Sequence, residues 1–201
     1  MAETAVVAPA MSEGWVVRNT TVLKSLFRII LGAVWLIDGA LKFAPGFVDQ
    51  FNGMISGQGQ PAWLQGWFTF WANATSGDPA FWVYMTGSLE LLLGLALVFG
   101  FARKTAYLCG MLLSLFIWAV PEGFGGPYGP ASTDIGTGAV YALLFAALIV
   151  INSAHGPSRW SVDYLIERRF PGWARIAEFR RHGAPSSPAP SGSGPASGSR
   201  A

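Results

Sequence analysis

Four ionisable side chains stand inside otherwise apolar sequence, and they are the residues in this chain best placed to do chemistry. Arg28, Asp38 and Lys42 fall in the run Val22–Phe43, beyond the Lys24 that opens it, and Glu90 falls in the middle of a second run, Ala80–Phe101. An ionisable group in a membrane-embedded helix costs about 2.5–3.5 kcal/mol on insertion scales, so such residues face a partner or a polar interior and mark proton and substrate paths. Asp38 and Lys42 are one helical turn apart, a spacing that predicts an ion pair on one face. Trp35 and Gly39 share that stripe. Gly87, Glu90 and Gly94 share a face of the second run, where small residues permit close helix contact and turn Glu90 inward. Its expected cationic partners are Lys42 and Arg28. Glu90 is the candidate catalytic residue, as a proton acceptor or hydrogen-bond partner for a polar head group, and a packing carboxyl is the alternative. Arg28, Trp35, Asp38 and Lys42 are the candidate cofactor-binding residues.

The elements that carry these residues are long apolar stretches: Val22–Phe43, Ala80–Phe101, Thr105–Val120 and Ile135–Ile151. A membrane span needs about 20 apolar residues, and lipid forces such segments into helices because it offers backbone groups no partner. The expected fold is all-α, an integral membrane four-helix bundle. Hydrophobic residues make up 52% of the 201 residues and charged residues 12%, about half the usual charged share. That length leaves room for one membrane domain with short appendages. The expected divisions are a mobile N-terminus at 1–21, the membrane domain at 22–151, a basic amphipathic segment at 152–182 and a disordered tail at 183–201.

Basic residues set the expected orientation. Lys and Arg are absent between Pro45 and Ala102 and between Thr105 and Ser158, while Arg103 and Lys104 fill the second link and seven Arg follow the last run. Basic loops stay cytoplasmic, which places both termini in the cytoplasm and segments 44–79 and 121–134 outside, in a multi-pass protein of the cytoplasmic (plasma) membrane. The first run is too long for a cleaved signal and reads as a signal anchor. The single cysteine, Cys109, excludes an intramolecular disulfide. Both histidines, His155 and His182, lie beyond the spans, so neither a haem nor a metal or flavin site is expected.

In the first outer segment, Trp63, Trp67 and Trp71 recur every four residues and make an aromatic stripe on an interfacial helix, read as a membrane anchor or as a ligand-stacking wall. Asn73-Ala74-Thr75 matches the short glycosylation pattern. The second, Pro121–Pro130, is too rich in Gly and Pro for a helix and is either a connection or a lid. Ser132 or Thr133 is expected to cap the last helix, with Asp134 in its first turn. Segment 158–181 interleaves aromatic residues with Arg and is expected to form a basic helix lying on anionic lipid, not on nucleic acid.

These residues also carry a family resemblance. Arg28-Ile29-Ile30-Leu31-Gly32 followed by Asp38-Gly39-Ala40-Leu41-Lys42-Phe43 resembles the first-helix pattern of the DoxX/DoxD family, and Glu90-Leu91-Leu92-Leu93-Gly94 with Gly100, Arg103 and Lys104 resembles its second. The resemblance implies a four-helix membrane protein with Arg28, Lys42 and Glu90 at the family's polar positions. Through the DoxD branch it implies a subunit of thiosulfate:quinone oxidoreductase, with quinone as cofactor and a redox partner subunit. Thiosulfate fits the outer face poorly: that face carries Asp49, Asp78, Glu122 and Asp134 with Lys42 its one basic residue, and like charge repels a dianion. The preferred expectation is a membrane subunit that docks a quinone, a partner and an outer small-molecule substrate. The opposing one is a non-catalytic scaffold or small-solute permeation protein. Oligomerisation stays open.

Overall fold

The computed structural model describes residues 19–126, 135–155 and 160–179, and these are helical with no strand among them. In chain order the α-helices are α1 (Thr20–Leu41), α2 (Phe47–Met54), α3 (Gln65–Thr75), α4 (Pro79–Phe99), α5 (Arg103–Ala119), α6 (Thr137–His155), α7 (Val162–Arg169) and α8 (Ala174–Ala177). Helices α1, α4 and α6, of 22, 21 and 19 residues, are long and apolar enough to cross a membrane. Helix α5 has 17 residues, about 25 Å at 1.5 Å per residue.

Helix α1 buries Lys24, Arg28, Leu31, Trp35 and Gly39, successive turns of one face, and exposes Ile29, Ile30, Ile37 and Leu41. Helix α4 buries Val83, Gly87, Glu90, Gly94 and Leu97, the inward face read from the sequence. The two helices touch backbone to backbone, since a Cβ on Gly32 would lie 2.9 Å from the Gly94 carbonyl and one on Gly39 would lie 3.0 Å from that of Gly87. Helices α5 and α6 meet equally closely where Gly138 faces the Ser114 carbonyl, 2.7 Å from where its Cβ would sit. Leu31, Trp35, Leu93, Leu97, Ala106, Tyr107, Phe145 and Leu148 then join the four long helices in one core.

Helix α6 starts at Thr137, and Glu122 caps it, accepting from the Gly138 N–H with Oε1 at 3.1 Å and Oε2 at 2.9 Å. A carboxylate at a helix N-terminus is favoured by orphan N–H groups and the dipole. Ser132, Thr133, Asp134 and Tyr128 lie outside the described residues, so of the lid only 121–126 is seen. Residues 1–18, in the segment expected to be mobile, and the tail from 180 onward lie outside them as well.

Segment 160–179 is not one amphipathic helix. Pro171 breaks it into α7, a 3-10 turn at Pro171–Trp173, and α8, as a ring without an N–H must. The pieces fold under the helices as a collar. The Asp163 carboxylate accepts from the Ala102 N–H (2.7 Å), the Arg103 N–H (2.9 Å) and the Trp173 indole (2.8 Å), capping α5 from 60 residues away. It thereby holds Ala102 at φ +48°, a left-handed conformation costing about 1–2 kcal/mol for a residue with a Cβ. Trp160, Leu165 and Phe170 remain outward-facing and exposed, the part of the segment that keeps the character of a lipid-facing surface.

Candidate functional site

The close contact of α1 with α4 builds the site. Because Gly87 carries no side chain, its Cα packs against the Lys42 methylenes; a Cβ there would fall 2.8 Å from Lys42 Cβ. The Lys42 side chain therefore runs along α4, where Glu90, one turn deeper, meets it. Lys42 Nζ lies 3.1 Å from Glu90 Oε2. The approach is off the line of a good hydrogen bond, leaving that oxygen without a hydrogen-bonded partner. Glu90 is 1% exposed. The expected Glu90–Lys42 contact is present.

The expected Asp38–Lys42 ion pair is not. Lys42 Nζ reaches only the Asp38 backbone carbonyl, at 3.4 Å, while the Asp38 carboxyl turns to the Tyr141 hydroxyl on α6. The ammonium goes to the carboxylate that has no access to water, where an unpaired charge costs most. Arg28 is absent from the site altogether. It sits fourteen residues, about 21 Å, away along α1, and its Nη2 donates to the Trp160 carbonyl at 2.7 Å.

Two cavities meet at Lys42. The first, about 280 Å³, is roofed by α2 and α3 and walled by Phe47, Phe51, Trp71, Trp82 and Phe116, with Asp38, Lys42 and Glu122 on its polar side. The second, about 210 Å³, lies between the long helices and is lined by Trp35, Asp38, Lys42, Glu90, Glu122 and Tyr141. Trp35 is 1% exposed, packs edge-on to Phe145 at 5.6 Å, and keeps its indole N–H buried without a partner, as does Trp71. Such groups are uncommon in folded proteins.

Four of the five sequence-derived site residues, Trp35, Asp38, Lys42 and Glu90, thus converge, and Arg28 does not. The tryptophan stripe divides. Trp63 is 81% exposed and is the anchor-like member, Trp67 donates to the Ala119 carbonyl at 2.8 Å, and Trp71 is the cavity wall. Thr75 of the glycosylation pattern is buried and bonded to the Trp71 carbonyl. Glu122 and Tyr141 were missed as site residues. The one available signal was the placement of Glu122 beside a Gly-rich turn; Tyr141 carries none, since a tyrosine in an apolar helix is ordinarily core.

An all-helical chain with three apolar spans and an ion pair enclosed between them is a multi-pass membrane protein with an internal polar site. Residues 23–122 match the DoxX family model, so the chain carries a DoxX domain that contains Arg28, Trp35, Asp38, Lys42, Glu90 and Glu122. Neither the curated proteins nor the solved structures gave a match.

Proposed function

We propose that the protein is the quinone-docking membrane subunit of a redox system, with the quinone head group in the 280 Å³ cavity against Lys42. The observation that carries this reading is the composition of that cavity: aromatic walls, one polar side and an unpartnered Trp71 indole N–H. Its volume is at the lower edge of the roughly 300–1,000 Å³ usual for ligand sites, suited to a ring whose isoprenoid tail leaves into lipid. A quinone is flat, uncharged and carries two carbonyl acceptors; Trp71 and Lys42 are donors. The dianion thiosulfate would instead meet Asp38 and Glu122, with the one nearby cation already held by Glu90. Converting a quinone to a quinol takes two electrons and two protons. We assign the electrons to a partner subunit and the protons to the polar chamber around Glu90 and Asp38. A permeation path would also need polar lining, but it gains nothing from the aromatic roof.

The same reading makes all four long helices transmembrane, a four-helix bundle with both termini cytoplasmic. Basic groups collect at one end, where Lys24 reaches the His155 carbonyl and Lys104 that of Arg175, while Lys42, Asp78 and Glu122 stand at the other. In a Cys109→Ala background, Ser76→Cys should react with an impermeant thiol reagent on intact cells and Arg169→Cys only after lysis. The opposite pattern inverts the orientation. Gly57, with φ +68° and Phe68 against it, is unsuited to carry the probe.

Quinone docking is tested on the purified protein in mild detergent, titrated with a short-tailed benzoquinone and a short-tailed naphthoquinone. Saturable quenching of tryptophan fluorescence is expected, with affinity falling about tenfold in Trp71→Phe, the loss of roughly one hydrogen bond, about 1.4 kcal/mol. Glu90→Gln should bind quinone yet lose the proton-coupled step. Absence of saturable binding for both quinones would sink the assignment in favour of a scaffold.

A further inference from the structure

We infer that the chamber between the four long helices is a water-filled blind pocket, open to the outer face and sealed toward the cytoplasm, and that Glu90 exchanges its proton with the outer medium through it. The inference deepens the quinone reading, on which it rests for what the protons serve, by naming the side that supplies them. Glu122, Thr137 and Gly138 line the chamber at the end that carries the α5–α6 connection, and Thr137 is exposed there. Glu90 lines it from eleven residues past Pro79, about 16 Å along α4. The space of about 210 Å³ has room for several waters, since one needs about 10–15 Å³. Cavities with polar walls hold water, whereas dry ones are apolar. Around Glu90 stand Asp38 and Lys42 from α1, Glu122 from beyond α5 and Tyr141 from α6. Three carboxylates against one ammonium favour hydronium over anions. Glu90 itself is 1% exposed, and its Oε2 has no hydrogen-bonded partner.

One turn deeper, every wall changes character. Below Trp35 comes Leu31, below Glu90 come Leu93 and Leu97, and below Tyr141 come Phe145 and Leu148. All five are at most 7% exposed, and they join in one apolar core. On α5, Ser114 is followed inward by Gly110, on which Phe145 packs so closely that a Cβ there would overlap its ring. These side chains offer water no partner, so the layer is dry and carries no proton. The basic end of the molecule lies beyond it. A pocket with such a floor passes no solute across the membrane, yet it supplies protons from the side on which it opens. Asp38, Lys42 and Glu122 line both cavities, and they give a proton a polar way to a ring docked in the first.

Two measurements test this without quinone, so that failure here and failure of quinone docking are distinguishable, and the Ser76 and Arg169 labelling fixes the sides. In a Cys109→Ala background, Thr137→Cys and Ile117→Cys, both on the chamber wall, should react with a small cationic methanethiosulfonate on intact cells. They should do so at least about tenfold faster than Val140→Cys on the lipid side of α6, because the reactive thiolate forms in water and not in apolar surroundings. Leu148→Cys, in the floor, should stay unlabelled from either side. If Ile117→Cys does not fold, Tyr141→Cys takes its place. Silence at Ile117→Cys means a dry chamber, and labelling of Leu148→Cys from the cytoplasmic side means an open floor; either overturns the inference. Dicyclohexylcarbodiimide, which attacks protonated carboxyls, then reads Glu90 of the parent protein in sealed right-side-out vesicles, the modified peptide being found by mass spectrometry. Labelling should rise several-fold as the outer medium goes from about pH 9 to about pH 5 at constant inner pH. A response to inner pH, or none to outer pH, overturns the inference as well.

Discussion

Arg103→Met is expected to destabilise the protein by about 3–5 kcal/mol, the range for removing one partner of a buried ion pair. At about 2–4 °C per kcal/mol for a chain of this size, that is a fall in melting temperature of roughly 10 °C. The loss is large because Arg103 serves three carboxylates at once, and two of them, Asp163 and Glu178, are 0% and 7% exposed. Methionine fills the volume but leaves those charges stranded beneath α5. The sign of the pH dependence follows from Glu178 and Glu167, whose carboxyls burial pushes up, with Arg103 pulling them back. A carboxyl raised in the folded state stabilises fully below its unfolded pKa, and that contribution is lost as pH rises through the folded one. Removing Arg103 raises these groups further. The deficit of Arg103→Met should therefore be smaller near pH 5, where the stranded carboxylates take up protons, than near pH 8. Thermal melts of parent and variant at the two pH values check this; an equal deficit at both would mean that stranded charge is not what the arginine relieves. Arg103→Lys should recover part of the loss, since an ammonium supplies charge without the planar fork.

The second large effect belongs to Lys42 and Glu90. Lys42→Met strands a carboxylate enclosed between α1 and α4 and should cost about 3–5 kcal/mol. The double variant Lys42→Met/Glu90→Leu removes both charges and should cost less than the two single losses added together, with a coupling of about 2 kcal/mol, inside the range for contacting residues. The same cycle on Asp38→Asn and Lys42→Met should show little coupling, because Lys42 meets only the Asp38 backbone. Melting in detergent reads both cycles. Coupling to Asp38 with none to Glu90 would reverse the ion-pair assignment on which the candidate site is built.

Much of this arrangement is legible in the chain itself. Glycines at 32, 39, 87 and 94, at helical spacing with Trp35 and Glu90, identify the faces of α1 and α4 that turn inward, because period and residue size together fix which side of a helix can approach another. The apolar runs fix the helices, and the basic residues collect at one end. Lys42 shows where such reading stops. Local spacing makes Asp38 a candidate partner and the inward face of the second run makes Glu90 another, and the backbone contact at Gly87 decides for Glu90, by steering the lysine stem along α4. Trp71 and Trp63 share a stripe in sequence, and the packing of α3 alone makes one a cavity wall and the other exposed. The caps are the clearest case: Glu122 closes α6 from beyond the Gly-rich turn, and Asp163 closes α5 from the collar. A helix end advertises its orphan N–H groups in the sequence, but any carboxylate the fold brings near can satisfy them. Sequence thus determined which residues face inward, and tertiary structure chose their partners, because electrostatic pairing depends on distances that chain separation does not encode.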